Sequence, residues 1–212
     1  HFLLSARTAG IARERTGVSV FLVAREAPGV TIREYPTVDG SRTADVRFDA
    51  AAGELLGEAG RGLDLLDPAL DAGVAGLCAE AVGVMRRLVA DTVDYTRQRR
   101  QFDAPIASNQ VLQHRMVDMY IALEQSVSMA CLATLRLSGT PTERAHAVSA
   151  AKVFIGKAAR TVGQAAIQLH GGMGMTDETA VSHYFRRATM IESQLGSVDY
   201  HAARIEQLEF AA

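Results

Sequence analysis

The chain has 212 residues, 48% of them hydrophobic, which is enough apolar material for a sizeable core in one large domain or two small ones. A formal net charge of -2 gives no electrostatic case for nucleic acid or an anionic membrane surface as partner. No uninterrupted apolar run is long enough to cross a bilayer, the N-terminus shows no basic-then-apolar leader pattern, and Cys78 and Cys131 stand in apolar helical stretches; together these predict a soluble, cytoplasmic chain with buried free thiols.

Residues 1 to about 50 alternate apolar stretches with turn signals. His1 to Thr8 reads as a strand already under way. Val18 to Val23 is strand-like, Ala27-Pro28-Gly29-Val30 is a turn, and Thr31 to Tyr35 resumes the strand pattern. Ala44 to Asp49 alternates as a half-buried strand should. This part predicts a piece of an antiparallel sheet, too small to be comfortable alone.

From about residue 66 the pattern becomes helical. Asp67-Pro68 can open a helix with the proline in its first turn, and apolar spacing then continues to Tyr95. A second helix runs from Gln110 to Leu137 through Val111, Met116, Met119, Leu123 and Val127. A third opens at Thr142-Glu143 and reaches Leu169, where Gly171-Gly172-Met173-Gly174 ends it. A shorter helix spans Thr176 to Met190, and a last one follows Ser197. The predicted fold class is mainly α: an up-down helical bundle over residues 63–212, preceded by the remainder of an antiparallel β-domain over residues 1–62.

Two segments carry chemistry. Tyr95 to Phe102 closes one helix and enters a loop with Pro105-Ile106. Its arginines can grip a phosphate with a planar fork of donors, and Gln101 and Phe102 add an amide and an aromatic edge. The plainer reading is a basic helix end favoured by the helix dipole. In Gln168-Leu169-His170-Gly171-Gly172-Met173-Gly174-Met175, the glycines let another molecule approach the backbone closely, and Gln168 can donate and accept at once. The plainer reading there is a glycine helix cap.

These residues resemble the acyl-CoA dehydrogenase family. The resemblance includes Glu54 to Gly62 as a strand-to-helix connection, Tyr95 to Phe102 followed by Pro105-Ile106 and Gln110, Gln168 to Gly172, and Tyr184-Phe185-Arg186. Phe21-Leu22-Val23 with Ala27-Pro28-Gly29-Val30 resembles the family's middle β-domain. It spans nearly the whole chain in the right order, and Ala122 to Met129 is most similar to the small-subunit group that includes pimeloyl-CoA dehydrogenases.

The resemblance implies FAD bound between a β-domain and the helical bundle, across a subunit boundary. It places Arg99, Gln101, Phe102 and Gln110 at the pyrophosphate and adenosine parts of a neighbouring subunit's flavin, with Gln168, Gly171 and Gly172 as a second cluster at the same dinucleotide. It implies a homo- or hetero-oligomer, α,β-dehydrogenation of an acyl-CoA to the 2-enoyl-CoA, and an electron-transfer flavoprotein or similar acceptor. A carboxylate would take the α proton while hydride leaves the β carbon for the flavin.

The chain departs from that pattern at the base. One familiar place for it reads Gln194-Leu195-Gly196, and the other, counted back from Tyr95, falls on Gly73; neither residue takes a proton. Glu80, the one charge in Leu77 to Met85, is expected to be buried, either as the base or as a structural acid paired with an arginine. Asp71 matches a family position associated with substrate contact. Asp103 stands where glycine is frequent and is expected to face solvent. His114, His170, His183 and His201 read as packing or capping residues, with no metal site. Three functions compete: a dehydrogenase, a non-catalytic subunit completing a partner's FAD site, and a plain interaction bundle.

Overall fold

A computed structural model describes residues 1–12 and 14–210. It divides into two compact units, His1–Leu70 and Asp71–Ala212.

The first unit is built on strands β1 (Phe2–Arg7), β2 (Val18–Val23), β3 (Val30–Pro36), β4 (Arg42–Phe48) and β5 (Glu54–Leu56). Strands β1, β2 and β5 form an antiparallel sheet with β2 in the middle, and β3 and β4 pair separately as a hairpin. The central strand is the most buried, with Val20 and Val23 almost wholly enclosed. β1 alternates half-buried and exposed residues, the period-two pattern of a strand with one covered face.

Helix α1 (Leu63–Gln98) begins before the proline signal at Pro68. The amides of Leu65 and Leu66 both reach the Gly62 carbonyl, so the first turn forms ahead of Pro68. Proline then sits in the second turn, where it has no amide to donate back to the Asp64 carbonyl. An 18-residue stretch of α1 has a mean hydropathy of 1.3, long and apolar enough by composition to cross a bilayer. In the second unit that apolar side lines a protein core. Val74, Cys78, Ala81, Met85, Leu88 and Thr92 recur at helical spacing and are all buried.

After α1 come the two-residue strands β6 (Arg100–Gln101) and β7 (Ala104–Pro105), then a 3-10 turn at Ile106–Ser108. Helices α2 (Gln110–Arg136), α3 (Pro141–His170), α4 (Ala180–Ser193) and α5 (Val198–Phe210) follow. α3 is the central element and packs on α2, α4 and α5. Its buried positions Val148, Ala151, Ile155, Ala159, Val162 and Ala166 include three alanines, which let neighbouring helices approach closely. A capping box starts it: the Thr140 hydroxyl accepts from the Glu143 amide and the Glu143 carboxylate accepts from the Thr140 amide. The helix therefore begins at Pro141, slightly earlier than Thr142-Glu143 suggested. Short connections join α2 to α3 and α4 to α5, while longer ones, carrying the β6–β7 hairpin and the glycine run, join α1 to α2 and α3 to α4.

Candidate functional site

The ends of α1 and α3 bring the two chemical segments together. The Arg99 amide donates to the Tyr95 carbonyl at 2.8 Å, prolonging the last turn of α1, and the Ile106 amide donates to the Arg99 carbonyl at 2.8 Å. Between them the β6–β7 hairpin turns through Phe102 and Asp103, both in the left-handed region with φ of 52° and 62°. That pair of angles is the hairpin turn that matches strand twist, adopted here without glycine. Phe102 at its tip is 99% exposed, an aromatic ring with no cover from its own chain. Asp103 faces solvent, as its charge led us to expect. Asn109 precedes α2, so Gln110 stands in that helix's first turn. Arg99, Gln101 and Gln110 are exposed, and Arg99 has no carboxylate partner among the described residues.

At the end of α3, Gly171 has φ 60° and ψ -139°, a conformation essentially confined to glycine. Its amide donates to the Gln168 carbonyl. A Cβ built on Gly171 or Gly172 would meet nothing within 4 Å, and both residues are exposed, as is Gln168. Gly172 is informative because neither a positive φ nor internal crowding demands glycine there. Gly174 is the opposite case, since its Cβ would lie 2.9 Å from the Ile167 carbonyl. Backbone left open at Gly172 suits close approach by another molecule. Tyr95 joins the two segments: its ring stacks on His170 with centroids 4.3 Å apart, and its hydroxyl donates to the His170 carbonyl at 3.3 Å. Sequence reasoning missed this pair, because nothing local relates residues 75 apart.

The two places expected to hold a proton-abstracting carboxylate also meet. A Cβ on Gly73 would lie 2.9 Å from Leu195 Cδ1, so one non-ionisable residue covers the other. Leu195 sits at φ 53°, which is costly for a branched side chain, and its surroundings hold it there. His201 Nε2 donates to the Leu195 carbonyl at 3.0 Å. The buried Lys152 ammonium donates to the carbonyls of Ile191, Glu192 and Gln194 at 2.6, 3.0 and 2.9 Å. These close the end of α4 with a cation, the sign its dipole favours there. Burial lowers the pKa of Lys152, with Cys78 and Glu192 opposing.

Two expectations are corrected. Glu80 is not buried: it is exposed and bound two-pronged by Arg187, at 2.5 and 2.8 Å. The residues sharing its face of α1, Gly76, Ala79 and Gly83, are exposed too; they are small rather than core-facing. This is the structural ion pair, formed on an outer face. Asp71, which matches a family position associated with substrate contact, is 1% exposed, with one oxygen on Arg144 at 3.1 Å and the other on Arg204 at 2.6 Å. Both oxygens are occupied within the bundle. Cys131 likewise lies exposed rather than buried, while Cys78 is buried and its thiol pushed up to about 11 by burial. His170 and His201 are buried, and His183 reaches the Asp177 carbonyl from the surface.

The family model for the acyl-CoA dehydrogenase C-terminal domain matches residues 60–208, well over half of the chain. The chain belongs to the acyl-CoA dehydrogenase family. Human mitochondrial short-chain specific acyl-CoA dehydrogenase is 30% identical over 192 residues, covering 88% of this chain and 46% of that protein. An acyl-CoA dehydrogenase of Bacillus subtilis is 30% identical over 189 residues, covering 86% of this chain and 50% of that one. Among solved structures, the ChsE4–ChsE5 complex of Mycobacterium tuberculosis superposes with a TM-score of 0.87 at 28% identity, covering 99% of this chain and 55% of that one. The chain thus spans about half the length of the curated relatives it matches. Members of the family are FAD-dependent flavoproteins.

Proposed function

We propose that this chain is the C-terminal portion of a flavin-dependent acyl-CoA dehydrogenase, and that its second unit supplies half of an FAD site to a neighbouring subunit. The observation that carries this is the open backbone of Gly171-Gly172, tied through Tyr95 to the exposed Arg99, Gln101, Phe102 and Gln110. Arg99 is free to meet a pyrophosphate with its planar donors. The Gly172 backbone and the Gln168 amide can take a second side of the dinucleotide, and Phe102 can lie against a flat ring. These groups fit the dinucleotide and provide nothing toward the reacting ring. When bound, FAD would accept the hydride from the β carbon of an acyl-CoA while a carboxylate takes the α proton. The product would be the 2-enoyl-CoA, with an electron-transfer flavoprotein or similar acceptor taking up the electrons. The full-length polypeptide should purify yellow and bleach anaerobically with a suitable acyl-CoA. Bound FAD that no acyl-CoA reduces, alone or with its partner subunit, would end the dehydrogenase reading.

One observation favours a second reading, a non-catalytic subunit in a heteromeric dehydrogenase. Gly73 and Leu195 occupy the two expected base positions and close on each other, and Glu80 is committed to Arg187 on an outer face. Such a chain binds and completes a partner's site while the partner supplies the carboxylate. Co-purification with a homologous, carboxylate-bearing chain supports this reading, and a fully active homo-oligomer contradicts it. The two unpaired cysteines support a reducing, cytoplasmic location, to be tested by fractionating the cells that make the protein.

A further inference from the structure

We infer that Tyr95 is a positioning residue: it fixes the peptide plane that presents Gly171 and Gly172 and sets that edge against the Arg99 segment. The inference rests on the dinucleotide reading above and adds a residue to it.

The argument is one of peptide geometry. The peptide linking His170 to Gly171 has two hydrogen-bonding groups, pointing to opposite sides. Its carbonyl, on His170, accepts from the Tyr95 hydroxyl at 3.3 Å. Its amide, on Gly171, donates to the Gln168 carbonyl. The plane is therefore held at both edges, and it is the fixed reference from which the Gly171 torsions set the next peptide, into Gly172. Fixing is needed here because Gly171 adopts φ 60° and ψ -139°, and glycine has the freedom to leave that well.

The ring of Tyr95 adds a second hold. It stacks on the His170 imidazole at an interplanar angle of 24°. That imidazole is itself fixed: it is 5% exposed, and Nδ1 lies 2.8 Å from the Ala166 carbonyl. A carbonyl can only accept, so Nδ1 carries the hydrogen. The third hold is the Tyr95 carbonyl, which takes the Arg99 amide at 2.8 Å. One residue thus touches both segments, and their separation is a property of its side chain.

The test is the dissociation constant for FAD of the full-length polypeptide in its native assembly, measured with melting of the FAD-free protein. Tyr95→Phe keeps the stack and removes only the hydroxyl. FAD binding should weaken roughly three- to tenfold, the loss expected for one hydrogen bond, with the melting temperature within about 2 °C of wild type. Tyr95→Leu also removes the ring and should weaken binding more than about tenfold. If Tyr95→Leu does not fold, Tyr95→Phe decides alone. A Phe variant with wild-type FAD affinity reduces Tyr95 to packing and overturns the inference while leaving the dinucleotide site standing. A wild-type assembly that binds no FAD overturns both.

Discussion

The substitution Asp71→Asn separates a scaffold carboxylate from one that touches a ligand. Asp71 is 1% exposed, and its partners Arg144 and Arg204 have side chains 14% and 23% exposed. Asparagine keeps the shape but removes the charge and replaces one acceptor by a donor that faces a guanidinium. Breaking a buried ion pair from one side costs about 3–5 kcal/mol, because the remaining charges stay desolvated. Both arginines retain some water, so the lower end, about 3 kcal/mol, is expected here. For a chain of this size that is a melting temperature lower by roughly 6–12 °C. Glu80→Gln is the control. Its pair has side-chain exposures of 43% and 24%, and its loss should cost within about 1 kcal/mol and leave turnover unchanged. Urea and thermal unfolding of both variants at neutral pH would measure the contrast. An Asp71→Asn protein of wild-type stability with weakened acyl-CoA binding would refute the scaffold assignment.

Three further outcomes follow from the same structure. Burial lowers the His201 pKa below its ordinary 6.5, aided by Lys152 and Arg204 and opposed by the Leu195 hydrogen bond and Asp71. The unfolded chain then binds more protons just below that value, so stability is full above it and lost as pH falls through the folded-state pKa; urea midpoints should show this, and His201→Gln should flatten it. A thiol reagent at mildly alkaline pH should label one cysteine in the native protein, the exposed Cys131, and both in denaturant, because burial holds Cys78 protonated up to about 11. Gly172→Ala should leave the melting temperature nearly unchanged, since its Cβ meets nothing, yet weaken FAD; Gly171→Ala should also cost about 1–3 kcal/mol of stability through its backbone conformation.

Periodicity made much of this fold legible. β2, β3, β4 and the five helical stretches follow from alternation and helical spacing, and the glycine run marks the end of α3. Burial of single charges was not legible. Glu80 lies in an apolar run, but Ala79, Gly76 and Gly83 make the outer face of α1 look apolar without having much to bury. Asp71 finds Arg144 and Arg204 at separations of 73 and 133 residues, beyond the reach of local spacing. The Thr140–Glu143 capping box, which starts α3 at Pro141, went unread because the sequence pattern points to an opening at Thr142-Glu143. At the site, glycines and arginines announced themselves by type. The Tyr95–His170 stack and the closure of Leu195 over Gly73 depend on how the helices pack, and only the three-dimensional arrangement reveals them.

The most direct test of the flavin half-site is the visible flavin absorbance of the full-length polypeptide in its native assembly, compared with Arg99→Ala and Gly172→Ala. The account predicts a yellow wild-type protein and loss of most bound flavin in both variants, with assembly mass unchanged. Flavin retained at wild-type stoichiometry and affinity in both variants would contradict it.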